Sequence, residues 1–359
     1  MHAKTPIFIQ GVGCISPQRS FDNSEFLPEI TSYHNNTLGC IPPDFKQYIH
    51  PVALRRMSRV MRLGLSAAKI CTNEAQLEMP DAIITASGYG CIDDTNKFLV
   101  EILENGEKQL TPTFFMGSTY NAISGGIALA MKCNNYNTTY VHRGLAFETA
   151  LQDALMQLED APAKRILIGG FDEINQEQAT ISQFTGLQKR QLIHNLDLFE
   201  SDGQGTLQGE GANFFALGTA ETENSYCRVA GLKTLYAPQN SEDVKAAIKN
   251  LLHENNIAQQ DIDVVVNGIG GDQLKDQFFA DVINDFFSEK MEVRFKHLIG
   301  DYCTAGAFGL WLGAKILKHQ QIPDAVIASK VVVNKSIKNL LVLNHFWGKN
   351  VSIFHLQEK

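Results

Sequence analysis

The sequence has no excess of positive charge and no long apolar run. Its 359 residues include 31 Lys and Arg against 39 Asp and Glu, a formal net charge of -8. Because binding to a phosphate backbone needs clustered basic side chains, nucleic acid is not an expected partner. No run of about 18 apolar residues is present, so no membrane-spanning helix is predicted. The opening MHAKTPIFIQGVG lacks the apolar core of a signal peptide, and a cytoplasmic protein is therefore expected.

Metal-binding and nucleotide-binding patterns are also absent. The ten histidines form no HxH or HxxxH pair, and the seven cysteines are scattered without zinc-ligand spacing. An odd, scattered set of cysteines favours reduced thiols over disulfides. Residues 11–13 and 267–272 are rich in glycine, but they lack a dinucleotide fingerprint and a phosphate-loop lysine, so both are predicted to be tight turns. No metal and no cofactor of the protein's own are expected.

The sequence does contain a regular alternation of apolar, strand-like runs with amphipathic helical stretches. Strands are predicted at residues 7–13, 82–87, 138–142, 165–170, 213–218, 227–237, 263–271, 324–333, 339–346 and 350–356. Helices are predicted at residues 59–76, 93–104, 146–158, 242–253, 275–287 and 305–318. This alternation predicts an α/β protein with buried, parallel strands and helices on both faces of its sheets.

A polar linker at residues 219–226 divides the chain into two parts of similar pattern. We therefore predict an N-terminal half at residues 1–220 and a C-terminal half at residues 221–359, built from related βα units. No residue-level repeat connects the two halves, and the prediction depends on the order of the elements alone.

Four stretches stand out when they are taken in order: IFIQGVGCISP at 7–17, ILIGGFDE at 166–173, LFESDGQGTLQGEGANFFAL at 198–217 and LNHFWGKN at 343–350. Together they resemble the β-ketoacyl synthases, the condensing enzymes of fatty-acid and polyketide synthesis. The resemblance implies the thiolase fold, in which two related βα halves form a five-layer α-β-α-β-α arrangement. It also implies a dimer, which is the usual assembly of this family.

The resemblance places other residues at the three catalytic positions of the family. Gly144 stands where the family has its nucleophilic Cys, and Asn267 and Asp301 stand where it has two His. The Cys-His-His triad is therefore predicted to be degenerate, with no catalytic residue intact. An Asn could still donate a hydrogen bond to an oxyanion. An ionised Asp301 would oppose a developing enolate by about 4 kcal/mol at roughly 4 Å and an effective dielectric near 20.

Residues beside the missing nucleophile admit two interpretations. In the first, Arg143 forms a structural ion pair with Glu148 or Asp301. In the second, His142 or Arg143 reaches a partner's tunnel or a bound pantetheine phosphate. Cys303 lies in an apolar stretch and is predicted to be an inert packed thiol. The remaining pocket candidates are predicted to be mainly core aromatics, although the last two match family positions that border the acyl pocket: Phe147, Phe199 and Phe346.

A condensing-enzyme fold without its catalytic groups resembles the chain-length-factor-like subunits that pair with an active ketosynthase. The stretches at 119–130 and 140–151 look like the ketosynthase-like partners of aryl-polyene and flexirubin-type pathways. The resemblance implies a heterodimer in which Tyr120, Asn121 and Ile123 cross toward the partner and limit chain growth. The phosphopantetheine thioester of an acyl carrier protein is then a possible ligand. Two alternatives stay open, a Cys-independent acyltransferase or decarboxylase using Asn267 and Asp301, and a homodimeric acyl-binding module.

Overall fold

The structure is a computed structural model that describes residues 5–333 and 335–359, so the first four residues of the predicted N-terminal half lie outside it. The described residues form twelve strands and eleven α-helices. The strands are β1 Phe8–Ile15, β2 Thr37–Leu38, β3 Ala82–Ser87, β4 Tyr136–Val141, β5 Arg165–Asp172, β6 Gln208–Gly209, β7 Gly211–Gly218, β8 Arg228–Tyr236, β9 Val264–Gly268, β10 Met291–Arg294, β11 Asn339–Phe346 and β12 Asn350–Gln357. The helices are α1 Pro51–Leu54, α2 Arg59–Glu74, α3 Ile92–Asn105, α4 Pro112–Gly117, α5 Ala122–Met131, α6 Ala146–Asp160, α7 Gln176–Phe184, α8 Ser241–Glu254, α9 Gln273–Phe286, α10 Lys296–Ile299 and α11 Ala305–His319.

Ten strands form one hydrogen-bonded series in which the same order occurs twice. The series runs β10-β9-β11-β12-β8-β1-β7-β5-β3-β4. The series consists of two groups of five strands, and the strands of each group can be numbered one to five along the chain. From the outer end of the series to its middle, the order in both groups is third, second, fourth, fifth and first. The groups meet at a single pair, Phe8 opposite Arg228. The boundary predicted at residue 220 falls in the loop between β7 and β8 and stays a prediction.

Five layers result from the way the helices cover the two groups of strands. Helices α6 and α11 lie between the groups, since α11 contacts strands of both and α6 packs on β3, β4 and β5 while also reaching β8. Helices α2 and α5 cover the outer face of one group, and α8 and α9 pack together on the outer face of the other. Three apolar clusters correspond to these three helical layers.

The sequence explains why the middle layer is so apolar. Every residue of α11 from Ala305 to Leu317 is buried, because sheets cover the helix on two sides. Even Lys315 is enclosed; its ammonium donates to the Asn23 carbonyl and lies beside the rings of Phe26 and Trp311. Strands β1, β3 and β7 are buried along their whole length, as continuous apolar runs predict.

One predicted strand is wrong. Residues 324–333 form a 3-10 turn at Asp324–Val326 and then a single bridge from Ile327 to Val293, not a strand. Their β-branched composition indicated a strand, but composition does not supply a neighbouring strand along which the whole segment could pair. Strand β10, to which that bridge belongs, was not predicted because its four residues include two charged ones. No helix among the described residues is long and apolar enough to cross a membrane.

The parallel strands bring their carboxyl ends to one edge. Strands β3, β4 and β5 are parallel to one another, as are β9, β10 and β11. The loops that follow the carboxyl ends of such strands are where α/β proteins bind ligands. Tyr89, Gly144, Glu173 and Trp347 follow β3, β4, β5 and β11, and Asn267 lies near the end of β9.

Candidate functional site

Gly144 lies in the turn between β4 and α6, and the space next to it is filled. The preceding residue, Arg143, adopts a left-handed backbone conformation with φ of 68°. A Cβ built on Gly144 would lie 2.7 Å from Cδ1 and 2.8 Å from Cβ of Phe346, and 2.9 Å from Nδ2 of Asn350. Real Cβ atoms do not approach other atoms so closely. The position therefore lacks a nucleophile and also lacks room for any side chain.

Asn267 is buried near the end of β9, where it is opposite Arg294 of β10. Its amide donates from Nδ2 to Oε1 of Glu292 over 2.8 Å. The same carboxylate oxygen accepts from Nε of Arg294 over 2.7 Å. The amide group that could have stabilised an oxyanion is thus hydrogen-bonded to a side chain of the neighbouring strand β10.

Asp301 follows α10 and is paired with a buried cation. Its Oδ1 lies 2.8 Å from Nζ of Lys296, a side chain with no exposed surface. Lys296 also donates to the carbonyl of His345 over 2.6 Å. Because the two charges compensate each other, the full repulsion estimated for an isolated Asp301 does not act in this site.

A small cavity of about 50 Å³ lies at this edge of the sheets. Asp301 lines it, but Gly144 and Asn267 do not. The structure thus brings only one of the three predicted positions to the cavity wall. Sequence reasoning gave no site role to most of the lining, even where a residue lies within one of the quoted family-like stretches, because these residues come from separate segments that only the fold brings together: Tyr89, Asp172, Glu173, Gln178, Gln188, Thr206, Gln208 and Trp347.

The cavity wall carries two carboxyl groups, Asp172 and Glu173, whose pKa values are raised. Burial raises the pKa of Asp172 to about 6, although the Gly88 amide and Thr304 donate hydrogen bonds that oppose the shift. Burial also raises the pKa of Glu173 to about 8, and the nearby charge of Asp93 adds to this. Both groups therefore hold protons at higher pH than an exposed carboxylate does.

Glu148 is a further buried acid, one helical turn beyond Gly144. Its side chain lies against the first turn of α11, where a Cβ on Gly306 would approach Oε1 to 2.6 Å. Burial raises its pKa to about 7, and the nearby Ser352 hydroxyl and the charge of Lys296 oppose that rise. The acid is part of the contact between the two middle helices.

Cys303 also lines the cavity but has little nucleophilic character. It is 4% exposed, and burial together with the charges of Asp172 and Asp301 raises its pKa well above the usual thiol range. The prediction of a packed, unreactive thiol agrees with this environment. All seven cysteines are buried and free, and no three His, Cys, Asp or Glu side chains within the described ranges are arranged to hold a metal ion.

His142 and Arg143 are exposed beside the turn. His142 bonds through Nε2 to the Thr149 hydroxyl over 3.0 Å, and the Arg143 guanidinium lies 5.7 Å from the centre of the Tyr89 ring. The predicted ion pair of Arg143 is wrong, because Glu148 is enclosed within the middle layer and Asp301 is taken by Lys296. The second interpretation, contact with a partner or a phosphate, stays a prediction.

Of the three predicted pocket aromatics, only Phe346 lies at the cavity. Phe147 is fully buried in the middle layer against Phe215 and Phe354. Phe199 is half-buried beneath the guanidinium of Arg294, 5.1 Å from its ring centre. Phe147 therefore acts in the core, and Phe346 is the aromatic that covers Gly144.

The three residues predicted to cross toward a partner are not equivalent. Tyr120 is 60% exposed, and Asn121 is exposed beside it. Ile123 has no exposed surface, since its Cγ2 packs 2.7 Å from the Cβ position of Gly64 in α2. The prediction for Ile123 is wrong because its side chain is enclosed in the core of its own chain.

Comparison with known proteins agrees with this fold. Residues 39–184 match the family described as "Beta-ketoacyl synthase, N-terminal domain". The ishigamide ketosynthase/chain length factor is similar in structure, with a TM-score of 0.82 at 18% identity over 99% of this chain and 100% of that one. A type II polyketide synthase acyl-carrier protein complex with its ketosynthase bound to the hexaketide gives 0.78 at 12%, over 99% and 100%. A beta-ketoacyl synthase from Burkholderia phymatum STM815 gives 0.74 at 14%, over the same shares.

These likenesses confirm the resemblance to the β-ketoacyl synthases and the predicted thiolase-like α/β fold. At such low identities the structural likeness establishes the fold and not the activity. No curated protein sequence matches the chain.

Proposed function

We propose that this chain is a β-ketoacyl synthase-like subunit without condensing activity of its own, acting as a chain-length-factor-like partner of an active ketosynthase. The observation that carries the proposal is the filled space at Gly144. Covalent catalysis by this family requires an atom that accepts the acyl group, and this position has none. The pathway would make fatty-acid or polyketide-type chains, and the aryl-polyene class follows from the sequence resemblance alone.

A partner surface supports the proposal. Strand β4 ends the strand series, so one of its edges has no neighbouring strand within the described chain. Exposed edges of this kind readily pair with another chain unless they are protected. Eight of the large exposed apolar side chains lie in the segment that runs from α3 to the start of β4: Leu99, Val100, Leu103, Phe115, Met116, Tyr120, Leu129 and Tyr136. Concentrated apolar exposure of this kind is typical of a protein interface.

A groove of about 1230 Å³ lies along the same region. Helices α4 and α5 and the start of α2 line it. The lining residues include Met61, Met116, Leu129, Gly125 and Gly126. Its apolar lining adds to the surface that a partner subunit would cover.

The acyl carrier protein belongs to the proposal through the partner. The active subunit would accept the phosphopantetheine thioester, and this chain would contribute side chains such as Tyr120 and Asn121 to the partner's tunnel. A carrier protein is named together with a ketosynthase in one of the similar structures. A cytoplasmic location stays a prediction from the sequence.

The geometry supports the two alternatives less well. A Cys-independent acyltransferase or decarboxylase would need Asn267 and Asp301 at one reaction space, but Asn267 is held by Glu292 and Asp301 by Lys296. A homodimeric acyl-binding module would need an internal tunnel, whereas a cavity of about 50 Å³ has room for only a few water molecules.

Co-purification with each ketosynthase of the same organism that retains the Cys-His-His triad tests the proposal. Leu129→Asp places a charge on an apolar side chain that is 82% exposed within the predicted partner surface. We expect it to weaken the complex about tenfold or more, because the charge would be buried at the interface. The matched control is Leu274→Asp on α9, where the side chain is 70% exposed. Absence of any complex, or equal binding by both variants, would contradict the proposed partner surface.

A further inference from the structure

The turn between β11 and β12 places two aromatic rings over the site. The rings of Phe346 and Trp347 are stacked with centroids 4.4 Å apart and an interplanar angle of 23°. Trp347 has a φ of 56°, a left-handed conformation that is rare for a bulky side chain. Such a conformation persists only where the surroundings hold it.

Phe346 occupies the space in which an acyl-accepting side chain would stand. The Cβ position of Gly144 is already within 2.9 Å of three atoms of Phe346 and Asn350. A thiol would extend further in the same crowded direction, and a thioester further still. Phe346 and Trp347 also line the cavity, so the same turn covers both the missing nucleophile and the wall that carries Asp301.

His345 holds this turn from one side. The amide of Gly348 donates to Nδ1 of His345 over 3.1 Å, so Nδ1 is the unprotonated nitrogen. Nε2 then carries the proton and donates to Oδ1 of Asp276 over 2.8 Å. Both side chains are buried, with 2% and 8% of their surfaces exposed.

Three more contacts hold the same pair. Asp276, in α9, also accepts hydrogen bonds from the amides of Gly270 and Gly271, so its carboxylate is anchored independently of the turn. The carbonyl of His345 accepts from Lys296. His345, on one side of Phe346 and Trp347, is therefore tied to α9 and α10, and Gly348, on the other side, is tied to His345.

We propose that the Phe346–Trp347 turn is an internal plug that closes the vestigial acyl site, and that His345 and Asp276 are its positioning residues. Loss of the catalytic Cys is then only half of the inactivation, since restoring a thiol would still leave it covered. The proposal rests on the proposed function only in taking Gly144 as the position of the lost nucleophile.

Alkylation of an introduced thiol tests the plug. Gly144→Cys is prepared alone and together with Phe346→Ala, His345→Ala or the control Lys349→Ala, an exposed neighbour of the turn. Each folded protein is treated with iodoacetamide, whose carbon bonds to the thiolate sulfur as iodide leaves. Peptide mass spectrometry follows each site, and the six native cysteines other than Cys303, which are buried outside the cavity, report global unfolding.

We expect Phe346→Ala to accelerate alkylation of the introduced thiol about tenfold or more, and His345→Ala to accelerate it by a smaller factor, while the six native cysteines outside the cavity stay protected. Lys349→Ala is expected to leave the rate unchanged. Equal rates with and without Phe346→Ala would overturn the plug. Equal rates with and without His345→Ala would overturn its positioning role.

Hydrogen exchange in the otherwise natural sequence gives a second test if Gly144→Cys does not fold. Because the Gly348 amide donates to His345, it should exchange severalfold faster in His345→Ala than in the natural protein, and His345→Gln should restore part of the protection. Unchanged exchange would reject the positioning role. Neither test needs a partner, so failure here leaves the partner proposal to the co-purification experiment.

Discussion

At the scale of single residues, the proposed loss of chemistry comes from replacement of the catalytic side chains and also from occupation of their space. Phe346 and Asn350 fill the space beside Gly144. Glu292 holds the amide of Asn267, and Lys296 holds the carboxylate of Asp301. Each former catalytic position thus takes part in contacts that stabilise the fold, and such contacts would oppose a return to catalysis by a single substitution.

The buried acid Glu148 should make stability depend on pH. Its pKa in the folded protein is about 7 against an ordinary 4.5, so the folded state binds its proton more tightly than the unfolded state. The stability that this tighter proton binding gives the folded protein is fully present below the ordinary pKa and is lost as pH rises through about 7. Glu148→Gln should therefore gain on the order of 2 kcal/mol relative to the natural protein between pH 5 and pH 8.5.

Urea unfolding at several pH values measures this difference in the free energy of unfolding. The other titrating acids are common to both proteins, so their effects cancel in the comparison. Glu104→Gln, at an exposed carboxylate in α3, controls for the removal of one negative charge. A constant stability difference between Glu148→Gln and the natural protein across this pH range would contradict the assignment.

The Lys296–Asp301 pair leads to a second prediction at this scale. Lys296 is fully buried, so Lys296→Met would leave the Asp301 carboxylate buried without its cation. We expect a loss of about 3–5 kcal/mol in the free energy of unfolding. The double variant Lys296→Met, Asp301→Asn removes the stranded charge and should recover much of the loss. A single variant within about 1 kcal/mol of the natural protein would show that the pair does not carry this energy.

At the scale of elements, β4 combines a free edge with side chains that hold it in place. Asn121, just before α5, donates to Oδ1 of Asn137 over 2.9 Å and accepts from the Thr139 hydroxyl over 2.6 Å. Thr139 also exchanges a hydrogen bond with Thr85 on β3. The edge strand is therefore fixed to its neighbours before any partner arrives.

Removing the Asn121 side chain should weaken partner binding more than it weakens the fold. In Asn121→Ala both hydrogen bonds to β4 are lost, which at an exposed site costs about 1 kcal/mol of stability. Affinity for the partner ketosynthase should fall severalfold because the strand loses its fixed geometry. Gln277→Ala, which removes an exposed hydrogen bond to Asp281 on α9, is the control for calorimetric titration. Equal affinities of the two variants would count against an ordered β4 edge as the binding element.

Element type could be predicted where apolar pattern and burial coincide. The runs that became β1, β3, β5, β7, β11 and β12 are long and apolar, and each lies inside a sheet. Residues 324–333 have the same composition but no neighbouring strand to pair with along their length. Helix α7 was missed because its sequence, QEQATISQF, is mostly polar and buries only Ala179.

The candidate site could be predicted only in part for a related reason. Flanking motifs fixed the positions of Gly144, Asn267 and Asp301. Their contacts with Phe346, Glu292 and Lys296 depend on the packing of elements that are distant in the sequence. Ile123 was assigned to a partner surface because of its neighbours in sequence, but the helix turns it toward Gly64.

At the scale of the whole molecule, two groups of strands with one shared order enclose a middle layer that supports the site without supplying chemistry. An edge strand, an apolar surface and a groove lie beside that site. The fold thus keeps what an assembly with an active subunit requires. Under the proposed function, what it lacks is the ability to be loaded with an acyl chain.

Intact-protein mass spectrometry tests this loss most directly. The lone protein and its complex with the partner ketosynthase are each incubated with acyl and malonyl thioesters of the acyl carrier protein. The account predicts an acyl adduct on the ketosynthase and none on this chain, alone or in the complex. An acyl group recovered on this chain, at any residue of the cavity around Asp301, would contradict it.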